Sequence, residues 1–393
     1  VRPVNSTLWP LKAVYFVYFA ALGAFGTHYF PYLMQQGLDG AAIGVFAAAA
    51  PVAMALVPPL WGRWADRRGE ATRVLRVALL GAALPMLGLP MLAAPAALFG
   101  LVALASVFRS GVVPLLDSAT LTFTRAHGGD YGQVRLWGSA GFIAGAVGVG
   151  VLADWLGGAA IAWSSFVLCA AAWATAQWLP KAPREATRGS FVADWKALLA
   201  EPRFRRFLQA GFLNRLGVTT AVTFIPVHYR ANGWDYIDLG TYWAVGAGAE
   251  IVVFRFASRL RSPHGLSLLF WGGTLCLVLQ YTLLLVSTDI VWIMSVQLLH
   301  AFTFGGWYYA GVNYVGHLVP TRLRASGQSM AGAVLFGGAV GIGSLVVGAL
   351  YERYGMHTIL GFSLATATLA ALGSRRVALD IRSLEPVAGT TER

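Results

Sequence analysis

The chain alternates long apolar runs with short polar breaks, the runs lying at approximately 12–35, 42–61, 74–93, 97–124, 134–155, 158–179, 204–231, 238–258, 265–286, 290–317, 327–350 and 356–374. A hydrocarbon core of about 30 Å takes roughly 20 helical residues to cross, so each run has the length of one crossing. A transmembrane barrel would instead show strands of about 10 residues with alternating polarity, and stretches such as AAIGVFAAAAPVAMALVPPL, residues 41–60, do not alternate. The pattern predicts an all-α membrane protein of twelve transmembrane helices. The first run is of full length and leads directly into a second, as expected of a membrane segment and not of a cleaved signal.

Composition agrees. The 393 residues are 57% hydrophobic and 12% charged, with 46 glycines, values outside the range of ordinary soluble domains. A net charge of +12 raises the question of nucleic acid, but the basic residues form no patch or stripe. They follow alternate loops: Arg63, Arg67, Arg68 and Arg73 after segment two, Lys181, Arg184, Arg188, Lys196, Arg203, Arg205 and Arg206 around the link between segments six and seven, Arg259 and Arg261 after eight, and Arg322 and Arg324 after ten. The other loops carry Asp39, Asp154, Asp235, Asp238 and Asp289, with Arg230 and Arg353 as their basic residues. By the positive-inside rule both termini and the central link are cytoplasmic, and the charge reports topology, with no nucleic-acid partner. Cys169 and Cys276 both fall in apolar segments, too few for a disulfide framework, and read as small core residues.

Internal repetition divides the chain in two. Gly37, Asp39 and Gly44 at the junction of segments one and two correspond to Gly233, Asp235 and Gly240 at the junction of seven and eight, at a constant offset of 196. A second echo links the openings of segments five and eleven, with Arg135 and Arg322 separated by 187. The expected layout is a six-helix bundle over 1–179, a cytoplasmic linker over 180–203, a pseudo-symmetric second six-helix bundle over 204–375 and a cytoplasmic tail over 376–393. Parallel repeats of this kind are a common transporter architecture. Small-residue spacings at Gly141 and Gly145, and at Gly337, Gly341 and Gly348, let helices approach closely.

GRWADRRG, residues 62–69, resembles the Gly-x-x-x-Asp-Arg-x-Gly signature of the major facilitator superfamily, on Gly62, Asp66, Arg67 and Gly69. The resemblance extends over essentially all twelve segments. It implies the major facilitator fold, alternating access, and a conformational role for that stretch, whose Asp and Arg pair with neighbouring helix ends in one state and release in the other. It also implies a multi-pass protein of a bacterial inner (plasma) membrane.

Ionisable residues within membrane segments are expensive and by default functional. Here they are His28, Arg109, Asp117, Arg135, Arg215, Glu250, Arg255 and His300. Asp117 and Arg135, eighteen residues apart across the break HGGDYGQ, lie on consecutive antiparallel helices where their side chains can meet. Two readings stand for them: an interhelical pair that fixes the hairpin, or a substrate site in which the aspartate orients the arginine's bidentate fork. The stretch is similar to the hairpin of the oligosaccharide and proton symporter branch that includes the lactose permease, which implies that Asp117 and Arg135 bind substrate and that Phe142 takes the place of a sugar-stacking tryptophan.

The same resemblance places Glu250 on a residue that binds sugar and couples to protons, and His300 on a histidine of the tenth helix. It departs at Gln297 and Thr303, where the branch carries a lysine and the proton-carrying glutamate, and at Thr219 and Val222, where it carries acids. If a proton is carried, Glu250, Asp117 or His300 must carry it. Read on the residues alone, Glu250 could be neutralised by Arg215 or Arg255, and His300 could be a satisfied core residue. YFVYFAALGAFGTHYFPYL, PLLDSATL, YGQVRLWGSAGF and LLHAFTFG resemble the phenylpropionate permease branch, which implies small aromatic acids. Aromatic residues populate the helices expected to line a cavity, with His28, Trp307 and Tyr308 as candidate substrate contacts, although such residues also fill bundle cores. Arg109, about two turns before Asp117, either neutralises a substrate carboxylate or snorkels outward.

The sequence reading is a secondary active transporter, coupling proton symport to uptake of a small organic solute such as an aromatic acid, sugar or nucleoside. An antiporter exporting drugs or metabolites, uptake of a metal chelate, and a solute-sensing receptor are its alternatives. The chain carries no His-Glu-x-x-His, Cys-x-x-Cys or phosphate-cradling glycine loop, which argues against an enzyme or an ATP-driven pump. The expected energy source is the proton gradient, without cofactor or metal, and the expected partners are a small-molecule substrate, protons and the lipid bilayer, with the protein a monomer.

Overall fold

The computed structural model describes residues 8–127, 130–179, 181, 191–260, 262–320 and 323–384. Arg184, Arg188, Arg261, Arg322 and most of the linker and tail tip lie outside the described residues. Every regular element among the described residues is helical, as a bilayer requires of any spanning backbone that is not a closed barrel.

Among the described residues nine helices are long and apolar enough to cross a membrane, and ten when Gly40–Leu56 and Pro58–Arg68, bent by 46°, count as one span. Two features separate ten from twelve. The stretch Ser326–Arg382 has 57 residues, about 85 Å of helix at 1.5 Å per residue and far more than one crossing. It breaks at Gly355, whose φ of 76° and ψ of −172° no helix accommodates, so it is two spans. The seventh span, Pro202–Thr219 followed by a π-helical stretch Thr220–Phe224 and by Ile225–Ala231, is made more polar by Arg203, Arg205, Arg206 and Arg215. The remaining spans are Trp9–Gln35 (one), Ala71–Met91 (three), Pro95–Thr124 (four), Tyr131–Leu156 (five), Ala159–Trp178 (six), Tyr236–Phe256 (eight), Pro263–Leu284 (nine) and Ile290–Leu318 (ten).

The described helices form two compact units. The first holds spans one to six together with Ala221–Ala244 and Ser344–Glu352. Its core is built on span one, which packs chiefly against spans five and six. Glycine makes the first of these contacts possible: a Cβ on Gly141 would strike the backbone of Phe16, and one on Gly145 that of Ala20. Backbones this close gain dispersion and shed lipid, the main source of helix association where no hydrophobic effect operates. Tyr15, Leu75, Leu79 and Leu116 fill the adjacent interior.

The second unit takes Gly189–Thr220, Val245–Gly343 and Arg353–Arg393. Phe204, Phe207, Phe270, Trp307 and Tyr314 make its core, with the rings of Phe270 and Trp307 stacked at 5.5 Å. π-helical stretches interrupt span ten at Ala301–Gly306 and span eleven at Gly332–Ala339. Such irregular turns concentrate at functional sites.

Candidate functional site

In the first unit the intramembrane charges gather around span one. The Tyr15 hydroxyl donates to Asp117 Oδ1, and Tyr131 also faces that carboxylate. The Arg135 guanidinium lies 4.2 Å from the ring centroid of Phe19 and 5.6 Å from that of Tyr15, within the range of a cation–π contact. Asp117 and Arg135 make no salt bridge among the described residues. They meet instead at Tyr15, which hydrogen-bonds the acid and lies beneath the base. No sequence spacing announces this partner, since Tyr15 is 102 residues from Asp117.

Arg109 stands 4.9 Å from the Phe25 ring and is half-buried against span one. Its carbonyl receives a 3.4 Å hydrogen bond from Tyr18. Phe142, two helical turns beyond Arg135 on the same face, meets Trp243 edge to face with centroids 6.2 Å apart. His28 is 0% exposed; its Nε2 lies 2.7 Å from the Ala146 carbonyl, which fixes that nitrogen as the donor. It staples span one to span five and presents no open face to a solute.

In the second unit Glu250 Oε1 and His300 Nε2 lie 2.8 Å apart. Glu250 lies on a helix face whose preceding residues are Gly246, Ala247, Gly248 and Ala249, so small side chains leave it room. His300 immediately precedes the π-helical stretch of span ten and stacks on Phe304 at 5.6 Å. The side chain in direct contact with Glu250 is therefore the histidine; Arg255 is exposed, and Arg215 directs its hydrogen bonds to other groups while still feeling the Glu250 carboxylate through space.

Arg215 is 1% exposed. It donates to Asn214 Oδ1 at 3.0 and 2.6 Å and to the Thr303 carbonyl at 2.8 Å. Its guanidinium lies 4.3 Å from the Trp307 ring. Gln297 and Thr303, the two departures from the symporter pattern, belong to a neutral network in which Gln280 donates to Gln297 at 3.3 Å and Thr303 to Gln280 at 3.4 Å. Trp307 is 1% exposed beneath Arg215, whereas Tyr308 is 41% exposed and stacks on Phe304 at 5.7 Å.

Gly62, Asp66 and Arg67 lie on the helix Pro58–Arg68, and Gly69 ends it in the left-handed region at φ 64°. Arg67 is exposed and Asp66 half-buried. No group of three or more His, Cys, Asp or Glu side chains that could hold a metal is present among the described residues.

Residues 8–362 match the MFS_1 like family model. The maltose permease of Geobacillus stearothermophilus is 30% identical over 366 residues, covering 92% of each chain. The probable 3-phenylpropionic acid transporter of Escherichia coli (strain K12) is 27% identical over 362 residues, covering 90% of this chain and 93% of the relative. Among solved structures, the nucleoside transporter NupG matches with a TM-score of 0.78 at 18% identity, over 96% of this chain and 99% of its own. A bacterial homologue of the human lysosomal transporter Spinster matches with a TM-score of 0.75 at 14% identity, over 99% and 100%. At these identities the structures speak to the fold, which is the twelve-helix fold of major facilitator transporters.

Proposed function

Because the chain belongs to the MFS_1 like family, and is accordingly a membrane transporter and not an enzyme, we propose that it takes up a small organic solute together with a proton. The observation that carries this reading is the Glu250–His300 pair at 2.8 Å. Imidazole is the side chain whose ordinary titration falls near neutral pH, so an acid and a histidine in contact inside a membrane span can hold a proton on one side of the cycle and release it on the other.

Solute contact falls to Asp117, Arg135, Arg109 and Phe142 in the first half. The arginines offer planar forks to carboxylate or vicinal hydroxyls, and Phe142 an apolar face. Within the second unit Tyr308 offers an exposed ring for solute contact, while His28 and Trp307 are sealed from solvent in their own units. An aromatic acid, a sugar or a nucleoside fits this mixture of fork and ring, and the names of the relatives span the same three classes. The proton gradient is the energy source, with no cofactor. The protein acts as a monomer in a bacterial inner membrane, its termini on the cytoplasmic side as the loop arginines direct.

The test is solute uptake by purified protein in proteoliposomes under an imposed pH gradient, after a thermal-stabilisation screen of aromatic acids, sugars, nucleosides and metal chelates has chosen the solute. Uptake should rise with an inward proton gradient. Efflux driven by the same gradient would make the protein an exporter, and binding without flux a receptor.

A further inference from the structure

Arg109 is a mid-membrane cation that no acid among the described residues answers. It lies fourteen residues from Pro95 and fifteen from Thr124, at the middle of span four, with about 21 Å of helix to either end at 1.5 Å per residue. No snorkelling side chain covers that distance, so the guanidinium stays at mid-membrane depth. It is directed at span one, 4.9 Å from the Phe25 ring, and is half-buried. Spans one and four scarcely touch backbone to backbone; Arg109 reaches Phe25 and Asp117 reaches Tyr15 across the space between them.

The other two charges of this interior are matched. Arg135 stands near the Asp117 carboxylate, which also receives the Tyr15 hydroxyl. Arg109 has no such counterpart: among the described residues no salt bridge engages its guanidinium, and an aromatic face is a weak substitute for a carboxylate. Two arginines against one aspartate leave the first unit with one unanswered positive charge. A guanidinium cannot shed its proton, and an unpaired one within a membrane is costly. The cost falls when the counter-charge arrives with the solute. A neutral solute leaves the arginine unanswered, a cationic one adds to the charge, and a phosphate, with nearly two charges at neutral pH, overshoots it.

We propose that Arg109 is the counter-charge of the solute, which is a monocarboxylate, and that this solute crosses with one proton and no net charge. The proton balance rests on the uptake reading above; anion binding at Arg109 does not. One carboxylate matches Arg109 on binding, and one proton on the Glu250–His300 pair matches the carboxylate in passage. Phe25 stacks on Tyr29 at 4.4 Å, so the fork stands beside an aromatic slab that favours a carboxylate on an apolar body over a hydroxyl-rich solute.

Calorimetric titration of the full-length chain in detergent tests the charge, with 3-phenylpropionate, benzoate and lactate, each beside its amide, and with maltose and uridine as neutral probes. The wild-type protein should bind an acid of this set more tightly than its amide. Arg109→Gln should weaken that acid about thirtyfold, the scale of a lost charged contact, and leave the amide unchanged, while Arg109→Lys keeps the preference for the acid. Failure of all three acids to bind, tighter binding of maltose or uridine, or an acid affinity indifferent to Arg109→Gln overturns the proposal. Where Arg109→Gln does not fold, the ratio of acid to amide affinity in the wild type and in Arg109→Lys decides. In proteoliposomes, uptake of the bound acid should follow an imposed pH gradient and ignore a potassium diffusion potential; acceleration by an inside-negative potential overturns the charge balance. Binding of the acid without flux would keep Arg109 as its counter-charge and reject the uptake reading.

Discussion

Asp117 in the first half and Glu250 in the second are both acids within membrane spans, yet their partners differ in kind. Asp117 receives its hydrogen bond from Tyr15, a phenol that ordinarily keeps its proton far above neutral pH. Glu250 meets His300, a ring that ordinarily gains and loses one near it. The arginines differ as well. Arg135 rests on aromatic faces near the Asp117 carboxylate, and no hydrogen bond from its fork is present among the described residues. The fork of Arg215 is engaged by Asn214 and Thr303 in a sealed site. The contrast is the basis of the proposed division of labour, with solute contact assigned to the first half and proton handling to the acid and histidine of the second.

The largest effect should come from Glu250→Gln, which keeps a hydrogen-bonding shape beside His300 and removes the charge. Uptake against a gradient is expected to vanish while counterflow of labelled solute persists; undiminished gradient-driven uptake would remove the proton role and with it the contrast between the halves. Asp117→Asn should do the reverse, weakening solute affinity and leaving the pH dependence of transport in place.

Arg215→Met should lower stability by about 3 kcal/mol, because it strands the Thr303 carbonyl and Asn214 in a buried site. Thermal unfolding of the purified protein measures this, and a shift no larger than that of Arg135→Met would show the second arginine to be as dispensable to the fold as the first. Tyr15→Phe should cost about 1.5 kcal/mol by deleting a hydrogen bond to a charged group, again read as thermal stability. Smallest is Arg135→Lys, expected to weaken solute affinity about tenfold, or 1.4 kcal/mol, through loss of the planar fork at an unchanged unfolding temperature. Calorimetric titration with the chosen solute detects it, and wild-type affinity would place Arg135 outside the site.

The spans were legible because a bilayer imposes one length and one polarity on every crossing. Their breaks were less so. The bend after Leu56 is foreshadowed by Pro58 and Pro59, but the π-helical stretches follow from packing and have no marker in the apolar pattern. The candidate charges could be found by their cost in a membrane, and their partners could not. His300 is 50 residues from Glu250, and Thr303 is 88 from Arg215, distances over which helical periodicity carries no information. Asp154, which accepts from the Tyr236 and Ile237 amides at the start of span eight, was visible as a loop charge that sets topology, yet nothing in a single loop shows which helix start it will reach.

The π-helical turns bear on how the two halves came to differ in length. Ala146 follows Gly44 by 102 residues, while Ser344 follows Gly240 by 104, although Gly240 on Ala146 and Gly44 on Ser344 make the same kind of contact. Two π-helical stretches, Ala301–Gly306 and Gly332–Ala339, lie within the longer interval, and a π turn closes its ring with one residue more than an α turn. One extra residue at each π-helical stretch equals the two-residue difference between the intervals, which is the length that two π turns can take up inside their helices without shifting the ends out of register. A duplicated chain can thus reshape the interior of one copy, rotating the side chains around His300 and along span eleven, without rebuilding a loop or disturbing its rim.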